Sequence, residues 1–184
     1  AGTAGGDDDK GGIGADDGSV DISNNEITVN AALPTETDVL STAGSGGGGV
    51  FIRGDGAVTG NTIAGNTSTL NGGGLYAYKT TGEISGNLLQ RNQAAGDGGG
   101  VFTNFAAGRF GDNEVRDNTA GDDAGGMRVF VGEMAIEDSL FVGNSAADDG
   151  GGLKLSHAAN TVRRCTFSDN SAGDSGGGLE LDND

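Results

Sequence analysis

The chain has 184 residues, of which 39 are glycine, one is proline and none is tryptophan, and 27 acidic against ten basic residues leave a net charge of −17. Large side chains are too few for a conventional core, the charge repels nucleic acid, and no run approaches the roughly 18 apolar residues of a membrane span. Disorder is excluded too, because the apolar residues recur at fixed phases instead of scattering.

Residues 1–6 carry neither a signal-peptide h-region nor the pattern of a solenoid cap. From there a Gly-rich turn followed by an apolar residue closes at Gly49, Gly74, Gly100, Gly126, Gly152 and Gly178, at intervals of 25, 26, 26, 26 and 26 residues. An apolar-x-x-Asn element keeps the same beat, ending at Asn66, Asn92, Asn118, Asn144 and Asn170, eight residues before each closing glycine. Such a period marks a solenoid, in which stacking joins thin inward strips into one core. The whole of 1–184 reads as one domain. Between Asn30 and Gly49 lie 19 residues where later coils have eight, so 31–45 holds an insertion of 11 with the only proline, Pro34. Insertions of this kind map to loops on one face of a solenoid.

The coil from Leu75 to Gly100 gives the local structure. Leu75 and Ala77 alternate with Tyr76 and Tyr78, the period of a strand with one inward face. A break at Thr80-Thr81-Gly82 leads to extended stretches around Ile84 and Leu89, and residues 93–100 turn the chain back. Three inward columns follow: Ile13, Val50, Leu75, Val101, Met127, Leu153, Leu179; Ile22, Val58, Ile84, Phe110, Ile136, Val162; and Ile27, Ile63, Leu89, Val115, Phe141, Phe167. No 3.6-residue period competes with them. The expected fold is all-β: a right-handed, single-stranded parallel β-helix with three short strands per coil, about 26 residues per coil and six to seven coils. At about 4.8 Å per coil, six coils extend on the order of 30 Å.

Equal phase in adjacent coils means spatial neighbours, so polar columns can be read in the same way. Asn30, Asn66, Asn92, Asn118, Asn144 and Asn170 form an amide ladder of the kind that stabilises stacked parallel strands. A second ladder runs Asn25, Asn61, Asn87, Asn113, Ser139, Cys165, which makes Cys165 a spacer and not a nucleophile. His157 falls in a turn after a first strand. Among the cations, Arg91 falls beside Asp117, Arg163 beside Glu137, Arg164 beside Asp138 and Lys154 beside Glu180, pairs that contribute roughly 0.2–1 kcal/mol each.

The acids are less well matched. Asp8 and Asp9, Asp97, Asp122 and Asp123, Asp148 and Asp149, and Asp174 crowd the turn before the Gly triplet. Like charges about 5 Å apart repel by roughly 1 kcal/mol in water and more near a protein surface. Dissolved salt screens them, or calcium, which takes all-oxygen ligands, binds them; the nonapeptide calcium repeat and the EF-hand loop are both missing. The outward residues of the first strand read Phe51, Tyr76, Phe102, then Arg128, Lys154, Glu180. An exposed aromatic trio there is a contact patch for a second chain or a glycan, unless a local segment covers it.

The Gly-Gly-Gly-apolar turn, with Phe-Val-Gly-Asn at 141–144 and Phe-Ser-Asp-Asn at 167–170, resembles the GGA-apolar and FxxN repeats of chlamydial-type polymorphic outer membrane proteins. This chain has Gly or another residue at the Ala position, and Ile63, Leu89 and Val115 at the Phe position of earlier coils. The resemblance implies a secreted, surface-exposed β-helix used for adhesion or assembly.

Two function classes follow. One is a non-enzymatic extracellular structural protein, a subunit of a surface fibre or adhesive assembly that contacts other copies, host or matrix glycans or proteins, with neither nucleic acid nor direct membrane insertion. The other is a calcium-dependent polysaccharide lyase or glycan-binding β-helix, whose site is expected to interrupt the repeat with long loops and unpaired residues. The uniform coils after Leu75 favour the first. Because the sequence ends just after a first strand, head-to-tail stacking of copies is the expected mode of assembly.

Overall fold

The computed structural model describes residues 12–15, 18–33, 46–157 and 159–182. Among these residues there are 22 strands and no helix, and every strand pairing is parallel and joins one coil to the next. The three inward columns have the register that the repeat dictates. Ile13 faces Val50, Val50 faces Leu75, and so on to Leu153 facing Leu179. Ile22, Val58, Ile84, Phe110, Ile136 and Val162 stack likewise, as do Ile27 through Phe167. All are buried except Ile13, Val162 and Phe167, which are half-buried, and Leu179, which is exposed at the end of its column; each buried one contributes about 1.5–3 kcal/mol when fully removed from water. Phe141 and Phe167 stack their rings with centroids 5.0 Å apart.

Two features depart from the sequence reading. A short strand follows each Asn ladder residue, at Thr67–Ser68, Gln93–Ala94, Thr119–Ala120 and Ser145–Ala146, and these build a third sheet in what reads as a return turn. Ala31–Ala32 joins that sheet by pairing with Thr67–Ser68, so these residues belong to the regular coil and not to the insertion. Of the rest of the expected insertion, Leu33 is exposed and 34–45 lies outside the described residues. Secondly, the first and second strands fuse in two coils into continuous strands, Val101–Gly111 and Met127–Glu137, which bring both columns into one 11-stranded sheet. In the coil before them Thr80 and Gly82 make a turn, the Gly82 N–H donating to the Thr80 hydroxyl at 3.1 Å, and the two strands stay separate.

The corners between strands are set by the amide ladders. Asn118 accepts from the backbone N–H and the Nδ2 of Asn92 at 2.9 and 3.0 Å, and its own Nδ2 donates to Asn144 Oδ1 and to the Leu89 carbonyl, both at 3.0 Å. It is fully buried, and its neighbours in the column repeat the arrangement. Asp117, just before it, turns the chain with φ of 54°. Glycine closes the Gly-triplet turn because a Cβ on Gly100 would stand 2.6 Å from the Gly126 carbonyl oxygen and 3.0 Å from Asn118 Nδ2. The second ladder runs from Asn25 to Asn113, passes to the Ser139 hydroxyl at 3.2 Å, and ends at a half-buried Cys165. Burial pushes the Cys165 thiol pKa up, which keeps it protonated.

Candidate functional site: carboxylate rows beside the first strand

The turn that precedes each Gly triplet carries an inner and an outer row. The inner row is Asn71, Asp97, Asp123, Asp149 and Ser175. Each Oδ1 accepts the backbone N–H of the next member: Asp97 N–H to Asn71 at 2.8 Å, Asp123 to Asp97 and Asp149 to Asp123 at 3.2 Å, and Ser175 to Asp149 at 2.9 Å. These side chains therefore act first as stacking groups for the turn.

Their remaining oxygens face the outward column of the first strand. Asp123 Oδ2 lies 3.3 Å from Arg128 Nη1 and 2.8 Å from Lys154 Nζ, and Asp149 Oδ2 lies 2.7 Å from the same ammonium. The Arg128 and Lys154 side chains are only 6% and 7% exposed. Burial opposes the charge on Lys154, but its hydrogen bonds to Asp123 and Asp149 outweigh it and raise its pKa. The bond from Lys154 holds the Asp149 carboxyl below its ordinary value. Asp97 has no such partner among the described residues. Burial raises its pKa despite the Asp123 N–H, and the nearby Arg128 offsets only part of the rise.

Asp122, Asp148 and Asp174 form the outer row, stacked by backbone bonds from Asp148 N–H to the Asp122 carbonyl at 3.1 Å and from Asp174 N–H to the Asp148 carbonyl at 2.9 Å. Asp122, Asp123 and Asp148, and again Asp148, Asp149 and Asp174, place one oxygen each within 4.8 Å of one another. Repulsion, from Asp149 above all, raises the Asp148 pKa. These two triads are where the expected calcium ligands come together. Asp97 joins neither, and Asp8 and Asp9 lie outside the described residues. Within the triads Asp123 and Asp149 already give one oxygen to a backbone N–H and the other to a cation.

The ion pairs correct part of the sequence reading. Arg163 bonds Glu137, and Arg164 bonds Asp138 with Nε to Oδ1 at 2.6 Å, as their phases require. Lys154 stands opposite Glu180 in register, yet its flexible stem carries the ammonium back across the turn to Asp149 and Asp123. Arg91 reaches the Gln90 side chain at 3.4 Å instead of Asp117. Arg109, unremarked in the sequence, binds Glu83 at 2.9 Å and Asp112 at 2.6 Å and approaches Glu137 and Asp138. Its position opposite Glu83 follows from the pairing of Ile84 with Phe110, so the repeat phase held that signal.

The aromatic trio is not an exposed patch. Phe51, Tyr76 and Phe102 are 2%, 3% and 3% exposed, and they stack edge to face with centroids 5.6 and 5.0 Å apart. Burial pushes the Tyr76 hydroxyl pKa up to about 12, against a hydrogen bond with Asn104 that lowers it. The exposed rings are Phe105 and Phe130, one corner further along.

Parallel strands stacked through three columns, with amide ladders at the corners, define a β-solenoid. The profile of the right-handed β-helix region matches residues 7–184, and the chain belongs to that family. No curated protein and no solved structure matches the chain.

Proposed function

We propose that the chain is a non-enzymatic structural solenoid of an extracellular surface fibre or adhesive assembly, built with other copies of itself. The observation that carries this reading is the use to which the chemistry-bearing side chains are put. The Asn columns, Asp123 and Asp149, and the cations Lys154, Arg163 and Arg164 spend their hydrogen bonds and charges on the neighbouring coil, and Arg128 sets its charge against Asp123 across its own turn. The likeness of 141–144 and 167–170 to the repeats of surface-exposed polymorphic outer membrane proteins supports the same reading, and Phe141 and Phe167 fill the core where those repeats place Phe.

The carboxylate triads beside two buried cations favour a second reading, a calcium-dependent polysaccharide lyase. Its weakness is chemical. A lyase base must be unprotonated at working pH, whereas two carboxylates keep the Lys154 proton in place. Incubation with polygalacturonate and alginate, with and without calcium, separates the two. The structural reading predicts no ultraviolet absorbance from unsaturated product, together with fibres or layers in electron micrographs; release of unsaturated product abolished by chelator overturns it.

A further inference from the structure

Phe105 and Phe130 do not fit the ladder that surrounds them. Between strands 101–111 and 127–137, Thr103 faces Val129 but Asn104 faces Val131, and Ala106 faces Gly132, so Phe130 and then Phe105 are each left out of the pairing. A bulge re-aims the side chain it ejects. Here two neighbouring bulges turn aromatic rings outward, 53% and 38% exposed for Phe105 and Phe130. Lys79 sits at the same corner one coil before Phe105, its Nζ 5.1 Å from the Tyr78 ring and 6.0 Å from the Phe105 ring. No carboxylate among the described residues pairs with it. The His157 ring lies 5.6 Å from Phe130. On a chain of charge −17, exposed rings and the Lys79 ammonium are gathered at one corner.

The opposite end of the same first strand offers the complement. Asp122, Asp148 and Asp174 are exposed, and no cation among the described residues pairs with them. Each follows a small exposed residue, Gly121, Ala147 or Gly173, so the carboxylates border a shelf without bulky side chains.

We propose that a second copy of this chain docks its acidic corner onto the aromatic and cationic corner of the first. The proposal rests on the reading of the chain as an assembly subunit and names the contact. Lys79 meets the outer Asp row, while Phe105 and Phe130 lie on the small-residue shelf. Both corners flank one face, and because Lys79 lies two coils before Asp122 and three before Asp148 along the axis, a sideways translation with an axial stagger of two to three coils, roughly 10–14 Å, brings one onto the other. Such a contact is heterologous and repeats, giving a layer of parallel solenoids and not a closed dimer. Both rows advance by the coil rise of about 4.8 Å, which lets successive coils match. Exposed charges across the contact make it weaken as salt shortens the screening length.

Sedimentation velocity and electron microscopy of the full chain test this with Lys79→Glu, Asp148→Lys and the double variant Phe105→Ser/Phe130→Ser, each checked for a parent-like circular dichroism spectrum. Each is expected to raise the dissociation constant of lateral association by at least about tenfold. An equimolar mixture of the Lys79→Glu and Asp148→Lys chains is expected to regain association, because each supplies the charge the other has reversed. The proposal is overturned if the parent stays monomeric, if either charge variant associates like the parent, or if the mixture fails to recover. Filaments that persist unchanged in all variants refute this contact while leaving the assembly function standing, and lyase activity refutes the function independently.

Discussion

The outward column of the first strand is built in two ways. In its first half Phe51, Tyr76 and Phe102 pack ring on ring; in its second half Arg128 and Lys154 point back at Asp123 and Asp149. The turn residue five positions earlier changes with the column: Asn71 with Tyr76, Asp123 with Arg128, Asp149 with Lys154, Ser175 with Glu180. Whatever stands at the turn must accept one backbone N–H from the next coil, which Asn does without charge. Where Asp does it, a cation enters the strand as counter-ion. Asp97 beside Phe102 is the mismatch, and it is the inner-row carboxyl whose pKa rises.

The two halves should fail differently. Tyr76→Ala removes a buried ring between two others and is expected to cost about 3–5 kcal/mol in denaturant unfolding. Tyr76→Phe should cost far less, since the packing remains. Lys154→Met is expected to cost about 2–3 kcal/mol, because Asp123 and Asp149 keep their backbone bonds but lose the buried ammonium. Its effect should shrink in acid as the Asp149 carboxyl, which Lys154 holds below its ordinary value, protonates.

Asp97→Asn should act in the opposite direction. The folded-state pKa of Asp97 lies above the ordinary 3.8, so the folded chain holds that proton more tightly and stability is lost as pH rises through the folded pKa. Asparagine keeps the acceptor for Asp123 N–H. The variant should gain up to about 1 kcal/mol at neutral pH, and the gain should vanish below the unfolded pKa, as thermal melts at two pH values will read. The smallest effect is expected from Arg164→Ala. Its pair with Asp138 is short, but the arginine side chain is 59% exposed, so the melting temperature should not move beyond error.

The repeat made much of this legible. A constant 26-residue step writes the register of each apolar column, the Asn ladder and the Arg163 and Arg164 pairs directly into the sequence. What stayed hidden has local causes. A strand such as Thr67–Ser68 has two residues, too few for alternation to register. The bulges that expose Phe105 and Phe130 depend on how two fused strands share an extra residue, which periodicity does not encode. Lys154 has a long flexible stem, so its partner was found five residues back across a turn and not at equal phase in the next coil.

The central claim is that the buried cations of the first strand serve the stack as counter-ions to its carboxylates. A double-mutant cycle of Lys154→Met and Asp149→Asn, read by chemical denaturation at neutral pH, tests it most directly. Coupling of at least about 1 kcal/mol is predicted, with the double variant recovering part of the stability lost by Lys154→Met alone. Additivity within about 0.5 kcal/mol would contradict it.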